Sequence, residues 1–350
     1  MSNYTPITLI GFGVAGQLLL SHILDILPAY KIAIVDPDFI GGDLARDYRS
    51  INTNTTIQQI VNSLKTNGKW SETVTALKAR GDMNDCVSIA SLAEDIRQTG
   101  HKMAASCNQI YDEVLNATWD EPSKLWSLTF KGKRPPHSTS VICMCSGMSP
   151  RQEDYGIPII PLRIALDPHA LAKTVSPGQT VTVLGSAHSA TLIINHLNSL
   201  SDVSTVCLYR GSEPFRYSRD GHYDGIKQES AVIADSISKG EYNRLSLVHT
   251  GDLRGLSNAL RKSDWIIQAT GFDSRSIQFM DASRSEIRPT WDPATGLATE
   301  LPQVQAFGAC VPNVTIVDGK KFPDISVGSF IDQLVIRWPL LETMLSVRKI

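Results

Sequence analysis

One stretch near the start of the chain constrains the fold more than any other. An apolar run leads into the pattern G-x-G-x-x-G at Gly11, Gly13 and Gly16, an amphipathic segment follows, and a second apolar run ends at Asp36. In such a strand–turn–helix–strand unit the glycines permit a tight turn, close approach of a pyrophosphate and close helix packing, and the acid accepts a hydrogen bond from a ribose hydroxyl. The stretch predicts a dinucleotide-binding unit. An ordinary turn of an α/β sheet is the alternative.

The same pattern returns in the middle of the chain in a looser form. The strand-like run 179–184 is followed by the turn Gly185–Ala190, an apolar helical segment and a second run that ends at Arg210. The distance from the first glycine to the final residue is 25 positions in both units. Alanine at the later turn positions is small enough for helix–strand packing, so we predict a second dinucleotide unit, with an ordinary βα turn as the alternative.

The two units end in residues of opposite charge. An acid suits a free ribose 2′-hydroxyl, whereas a guanidinium binds a 2′-phosphate through paired hydrogen bonds. Asp36 therefore favours FAD or NAD in the first unit, and Arg210 favours NADP in the second. A solvated arginine at a strand end is the alternative for Arg210. Arg219, His222 and Tyr223, which follow it, are candidates for the nicotinamide or substrate side.

Composition excludes several other classes of protein. The 350 residues include 33 basic and 35 acidic side chains, a net charge of −2 that gives no electrostatic case for nucleic acid or an anionic membrane. No apolar run approaches the length that spans a bilayer, and the chain enters its first strand without a signal-like segment, so we expect a cytoplasmic protein. The six cysteines form no C-x-x-C pair, which disfavours a redox dithiol or a zinc site.

The rest of the chain divides into recognisable segments. A long polar loop at 37–55 has the length of a functional loop, and residues 56–108 have mostly helical periodicity. Period-two patterns between 111 and 132 predict a small antiparallel meander, followed by a buried strand that ends in Cys145-Ser-Gly147. A helix from about Phe330 to Val347 closes the chain, with an apolar face of Leu334, Val335, Leu341 and Met344.

With two nucleotide units, a meander between them, and strand ends at Cys145-Ser-Gly147 and Ala269-Thr-Gly271, the chain resembles the two-dinucleotide-binding-domain flavoproteins. This resemblance implies an α/β fold of two Rossmann-like domains. It places a discontinuous FAD domain at 1–165 and 275–350, with the NAD(P)H domain inserted at 166–274.

The resemblance also implies the cofactor contacts. FAD is expected to contact the first turn, the following loop and the C-terminal segment: Gly11, Gly13, Val14, Ala15, Gly16, Asp36, Pro37, Gly42, Asp43, Asn54, Gly147, Gly308, Gly328 and Ser329. NADPH is expected to contact the second turn and its neighbours: Gly185, Ser186, Ala187, His188, Ser189, Arg210, Thr270 and Gly271. Asn54 and Ser329 are also the candidates for polar contacts with the reacting flavin ring.

Within this superfamily the second turn and the C-terminal segment are most similar to those of the lysine and ornithine N-hydroxylases and the flavin-containing monooxygenases. Without a C-x-x-C pair, a disulfide reductase has no route to a thiol. The segment Phe130–His137 resembles the fingerprint F-x-G-x-x-x-H, but its histidine comes one residue late and it precedes the wrong strand. We interpret it as the last part of the meander.

This resemblance implies an NADPH-dependent monooxygenase. A flavin C4a-hydroperoxide would deliver one atom of dioxygen to a small nucleophilic substrate, with an amine nitrogen favoured. The alternatives are an NAD(P)H-dependent reductase that passes electrons to a quinone or a protein, and a non-enzymatic nucleotide-binding module. The expected partners are a small molecule and dioxygen, without nucleic acid, membrane or metal. Homo-oligomerisation and the identity of the substrate stay open.

Overall fold

The computed structural model describes residues 3–215, 228–317 and 320–347. The candidates Arg219, His222 and Tyr223 lie outside these ranges. The strands, in chain order, are β1 Tyr4–Ile10, β2 Ile32–Asp36, β3 Asn52–Thr56, β4 Cys86–Ser88, β5 Asn108–Tyr111, β6 Val114–Asp120, β7 Leu125–Phe130, β8 His137–Met144, β9 Met148–Pro150, β10 Thr180–Leu184, β11 Ser204–Tyr209, β12 Leu245–His249, β13 Trp265–Gln268, β14 Phe272–Ser274, β15 Gln278–Met280, β16 Glu286–Ile287, β17 Val304–Ala306, β18 Asn313–Val317 and β19 Lys320–Asp324.

Helices occupy the segments between most of these strands. They are α1 Val14–Ile26, α2 Asp43–Asp47, α3 Ile57–Leu64, α4 Ser71–Lys78, α5 Ile89–Ala104, α6 Leu162–Ala165, α7 Pro168–Thr174, α8 His188–Asn198, α9 Glu229–Ser238, α10 Leu253–Lys262 and α11 Val327–Val347. A short 3-10 turn, Gly308–Cys310, follows β17. Among the described residues, no helix combines the length and the apolar character needed to cross a membrane.

The chain forms two compact units. The first consists of Met1–Arg49, Thr55–Met148 and Ser274–Ile350. The second consists of Ser50–Asn54 and Ser149–Asp273. Each unit contains one of the two strand–turn–helix–strand patterns.

The first unit is built on one nine-stranded sheet. Its order is β16-β15-β6-β7-β8-β1-β2-β5, with β17 beside the end of β8. Strand β1 runs parallel to both β2 and β8, and Ile7 is in register with Ile32 on one side and Val141 on the other. All five residues of β2 are buried, as expected for a central strand of a parallel sheet covered on both faces.

Two hydrophobic cores lie on the two faces of this sheet. Leu9 points into a core formed with α1, α3, α5 and α11, whereas the adjacent Ile10 points into a core formed with the meander. This alternation follows from the period of two along a strand. In the second core Trp119 packs on Trp126 with ring centroids 5.2 Å apart, and Phe279 packs edge-on against Trp126.

The predicted meander is present as the antiparallel strands β6 and β7, and β8 is the buried strand expected after it. The segment Phe130–His137, interpreted as the last part of the meander, is instead the connection from the end of β7 to the start of β8.

The second unit has a smaller, fully parallel sheet of order β12-β11-β10-β13. Strand β10 lies at its centre, with Val183 paired to Cys207 in β11 and to Ile267 in β13. Buried residues of α8, such as Ile193 and Ile194, cover the sheet. The predicted fold class, α/β with two Rossmann-like units, is confirmed.

Two sequence predictions for the end of the chain also need correction. The C-terminal helix begins at Val327, three residues before the predicted start. Val335, assigned to its apolar face, is 72% exposed, while Gln333 and Arg337 are fully buried. The buried stripe of this helix therefore contains two long polar side chains between Leu334 and Leu341.

Candidate cofactor sites

The three glycines of the first phosphate turn have different roles. Gly11 has φ +99°, and a Cβ there would lie 2.4 Å from the carbonyl oxygen of Cys145; a Cβ on Gly16 would lie 2.2 Å from the oxygen of Gly11. The protein's own packing thus requires both. A Cβ on Gly13 would come no closer than 3.7 Å to any protein atom, here the Cα of Gly42. Gly13 keeps an open approach to the backbone, which fits a pyrophosphate.

The N-terminus of α1 is available to an anion. Gly13 is its N-cap residue, no side chain accepts a hydrogen bond there, and the first turn holds no acidic residue. The first N–H groups of a helix have no partner within the helix and carry a partial positive charge. An anion placed at this turn would satisfy them.

The Asp36 carboxylate links the phosphate turn to the loop that follows β2 through hydrogen bonds. Its Oδ2 accepts the backbone N–H of Phe12 at 2.7 Å, and its Oδ1 accepts those of Asp38 at 3.2 Å and Phe39 at 2.8 Å. Burial raises the pKa of this carboxyl, and the three backbone N–H groups oppose that effect. The ribose contact expected from the sequence stays a prediction; the structure shows this carboxylate as a link between two backbone segments.

Aromatic side chains cover this link. Phe39 has φ +53°, an unusual conformation for a bulky residue, and its carbonyl oxygen lies 2.6 Å from Nε2 of His101. Its ring packs between Phe12 and Tyr111, at centroid distances of 5.4 and 4.4 Å. Tyr111, opposite Asp36 in register, is 58% exposed and borders the predicted ribose position.

The loop after β2 also packs against the phosphate turn at Gly42. A Cβ on Gly42 would lie 2.8 Å from the Cα of Gly13, so only glycine fits this approach. The next residue, Asp43, forms an ion pair with Arg275 at 2.9 Å. A Cβ on Gly147 would lie 3.5 Å from Oδ2 of Asp43. The loop, the end of β8 and the chain after β14 therefore meet beside the turn.

The C-terminal segment brings Gly308 to the same place. Gly308 has φ +76°, and a Cβ there would lie 2.3 Å from the Cβ of Ala15 in the first turn of α1. Pro37, exposed, and Val14, buried, are the immediate neighbours of Asp36 and Gly13. The first unit thus assembles most of the predicted FAD residues around the N-terminus of α1.

Ser329 has a different environment. Its hydroxyl donates to the carbonyl oxygen of Asp324 at 3.0 Å, and its backbone N–H donates to Oγ of Ser326 at 3.1 Å. Gly328 borders Ser63, and this helix start reaches the turn through Phe330, whose Cε1 lies 4.0 Å from a Cβ position on Gly308. Ser329 is fixed as part of the helix start.

Asn54 belongs to the segment Ser50–Asn54, which is part of the second unit. In the same segment Asn52 donates to Glu229 at 3.4 Å and Ser50 to Asp167 at 3.1 Å. The expected contact of Asn54 with a flavin in the first unit stays a prediction.

The second phosphate turn repeats the backbone of the first. Gly185 has φ +107°, and a Cβ there would lie 2.4 Å from the carbonyl oxygen of Ala269. Ala187 is the N-cap residue of α8 with φ −105° and ψ −167°, close to the −72° and −167° of Gly13 in the first unit. No side chain of Ala187 caps α8, and the first N–H groups of a helix have no partner within the helix itself.

Arg210 lies at the carboxyl end of the second sheet. Its side chain is exposed and forms no ion pair within the part of the chain that the structure describes. Its carbonyl oxygen lies 3.2 Å from Nε2 of His249, and the His249 ring packs edge-on against Tyr209. The guanidinium is therefore open to a ligand. Gly271, which lies between β13 and β14, has φ +103° and open space around it.

The part of the chain that the structure describes contains no disulfide bond. All six cysteines are free, and burial raises the pKa of Cys107 to about 11 and of Cys207 to about 12. Such thiols stay protonated and unreactive near neutral pH. No group of three metal-ligating side chains occurs among the described residues.

Sequence reasoning missed three polar residues of the first unit: Arg275, Gln333 and Arg337. Arg275 lies in a segment without periodicity, and nothing in its sequence context indicates a site residue. Gln333, Arg337 and Leu341 are spaced four apart, on one stripe of α11. That spacing could have marked the two polar residues as buried.

Comparison with known proteins supports the fold. No protein-family model matches the chain. Over 219 residues, 55% of this chain, it is 25% identical to a monooxygenase of Paecilomyces divaricatus. The match spans about half (54%) of that relative's length.

Solved structures match almost the whole chain. A flavin monooxygenase from Stenotrophomonas maltophilia aligns at TM-score 0.63 and 12% identity, over 99% of both chains. The ornithine N-hydroxylase of Kutzneria sp. 744 aligns at 0.63 and 13%, over 99% of this chain and 100% of that chain. The bacillithiol disulfide reductase of Staphylococcus aureus aligns at 0.64 and 9%, over 99% of both. The resemblance to two-dinucleotide-binding-domain flavoproteins is thus confirmed at the level of fold.

Proposed function

We propose that this protein is an FAD-dependent, NADPH-using monooxygenase that acts on a small nucleophilic substrate. The observation that carries the proposal is the pair of matching phosphate turns, one beside a buried acid and one beside an exposed arginine. The neighbours named as monooxygenases and as an ornithine N-hydroxylase support it. The absence of a C-x-x-C pair in the sequence argues against a reductase that works through a dithiol.

In this proposal the first unit is the FAD domain. The open backbone at Gly13 and the uncapped start of α1 would hold the pyrophosphate, and Asp36 would hold the ribose. Gly42 and Gly308 close around the same turn. FAD, when bound, supplies hydride acceptance and oxygen activation, which no side chain of the chain can provide.

The second unit is the NADPH domain. The first N–H groups of α8 would hold the pyrophosphate of NADPH, and Arg210 its 2′-phosphate. His188 is the first residue of that helix, and its carbonyl oxygen accepts from Thr191 at 2.7 Å and Ser230 at 3.3 Å. The position of His188 in the turn supports a role beside the phosphate and does not support a role as a general base.

The finer parts of the proposal are an amine nitrogen as the acceptor of one oxygen atom and the flavin hydroperoxide route. The ornithine N-hydroxylase, solved with reduced FAD, NADP⁺ and L-ornithine, supports them by its likeness in fold. No side chain of the protein is assigned to substrate binding.

The test is an absorbance spectrum of the purified protein before and after NADPH, in air and under nitrogen. We expect a bound flavin that NADPH bleaches without oxygen, and that air reoxidises with oxygen consumed in proportion to substrate oxidised. Anaerobic turnover with a quinone, without substrate oxidation in air, would establish a reductase instead. A colourless protein that takes up no FAD would contradict both enzymatic functions.

A further inference from the structure

Two buried polar residues of α11 hold the segment that follows β17. Arg337 is fully buried and its guanidinium makes five hydrogen bonds. Four go to backbone carbonyl oxygens, and the fifth goes to Oε1 of Gln333. The four carbonyl bonds are to Pro293 at 2.6 Å, Ala294 at 3.2 Å, Ala306 at 2.7 Å and Val311 at 3.0 Å.

The charge of Arg337 has no carboxylate partner within hydrogen-bond distance in the described ranges. Burial lowers its pKa to about 10, so the guanidinium is still protonated at neutral pH. Burying a charge is costly unless hydrogen bonds compensate it, and removing one partner of such a network leaves polar groups unsatisfied. The chain has an arginine at a buried position where an apolar side chain would avoid the cost of burying a charge.

Gln333, one turn earlier, holds Gly308 at both of its backbone groups. Its Oε1 accepts the N–H of Gly308 at 2.5 Å, and its Nε2 donates to the carbonyl oxygens of Gly308 at 3.3 Å and Val311 at 3.4 Å. Arg337 donates to the same Oε1 at 3.2 Å and so orients the amide. Together the two side chains fix the residues before, within and after Gly308–Cys310.

The fixed segment borders the phosphate turn. Gly308 lies so close to Ala15 that a Cβ would approach to 2.3 Å. Ala15 belongs to the first turn of α1, where the helix start is uncapped. A small displacement of Gly308 would therefore change the space beside the proposed pyrophosphate position.

We propose that Gln333 and Arg337 are positioning residues that hold Gly308–Cys310 against the first turn of α1 and so set the shape of the FAD site. This inference rests on the proposed function. It assigns the two residues an effect on FAD beyond their contribution to folding, since both bind the backbone of a site segment.

The experiment compares Gln333→Met and Arg337→Lys with Leu341→Ala. Leu341 is fully buried on the same helix and belongs to the hydrophobic core. Each protein is stripped of FAD and titrated with it, and its urea stability and bound-flavin spectrum are recorded. We expect the two polar variants to bind FAD about tenfold more weakly with a shifted visible band. Leu341→Ala should lose comparable stability and keep the wild-type spectrum and affinity.

Gly308→Ala tests the same contact with Gln333 and Arg337 intact, should the polar variants fail to fold. Its added methyl group should also weaken FAD binding and shift the band. Equal affinities and spectra in the polar variants, in Gly308→Ala and in the control would overturn the inference while leaving the proposed function in place. A wild-type protein that binds no FAD would overturn both.

Discussion

Asp36 joins two parts of the first site through one carboxylate. It accepts N–H groups from the phosphate turn and from the loop after β2, so its removal leaves two buried donors and one part-buried donor without an acceptor. We expect Asp36→Ala to purify with little or no FAD, as measured by the ratio of flavin to protein absorbance. Asp25→Ala, at an exposed position of α1, should retain it. Full flavin occupancy in Asp36→Ala would contradict the predicted role of this acid in FAD binding.

Arg210 should decide which coenzyme the second unit prefers. Its guanidinium is exposed at the end of β11, where a 2′-phosphate would lie. Arg210→Ala should reduce the preference for NADPH over NADH by about 1–3 kcal/mol, because charge-assisted hydrogen bonds are lost. The measurement is the ratio of kcat/KM for flavin reduction by the two coenzymes.

Arg244 provides a matched control at the opposite end of the same sheet. It precedes β12 and donates to backbone carbonyls of Asn198 and Leu200. Arg244→Ala should leave the coenzyme ratio unchanged. An unchanged ratio in Arg210→Ala would instead make Arg210 a solvated strand-end residue.

At the scale of the element, the two phosphate turns show why both keep the first glycine and why the second position can be alanine. The first glycine has a positive φ in both, +99° at Gly11 and +107° at Gly185. The second position has an ordinary negative φ in both, so Ala187 adopts it as readily as Gly13. The glycine pattern could be recognised from sequence because it reflects these local backbone demands.

Gly185→Ala should therefore damage the second unit selectively. The new Cβ would lie 2.4 Å from the oxygen of Ala269 at a φ that favours glycine. We expect FAD to remain bound, while the NADPH concentration for half-maximal flavin reduction rises about tenfold or more. Gly178, with φ +82°, precedes the same strand but meets nothing closer than 3.9 Å. Gly178→Ala should keep the wild-type NADPH dependence, and equal behaviour of the two variants would contradict the assignment.

Hydrophobic periodicity predicted the buried face of helix α11 incorrectly. Its residues are apolar on several sides, so hydropathy placed Val335 on the buried face, although it is 72% exposed. The stripe that is buried contains Gln333 and Arg337, because their partners are backbone groups of 293–311. Such partners come from distant sequence, so the four-residue spacing to Leu341 is a local sign of burial but does not identify the partners.

At the scale of the whole molecule, the sequence predicted both phosphate units, the meander and the α/β class, since each depends on local period and turn chemistry. It did not predict the long-range pairings. Strand β17 joins β8 from more than 150 positions away, and β15 extends the meander through β6. These contacts bring Gly308 and Arg275 to the first turn. Their partners could not be derived from the residues of either segment alone.

His137 makes the stability of the fold depend on pH. It begins β8, is 4% exposed, and its Nε2 lies 2.9 Å from Oγ1 of Thr5. Burial, assisted by Arg134, lowers its pKa to about 4 from an ordinary value of 6.5. Between these two values the unfolded chain takes up a proton and the folded chain does not. The free energy of unfolding should therefore fall as the pH decreases from about 7 to 4, by up to about 3 kcal/mol from this residue.

The measurement is a series of urea titrations of the wild type and His137→Gln between pH 7 and pH 4. The variant is expected to be less stable at pH 7, where the neutral imidazole is best accommodated, and to lose less stability on acidification. Carboxylates titrate equally in both proteins, so the difference between the two curves isolates the imidazole. Parallel curves over the whole range would contradict a lowered pKa of His137 in the folded protein.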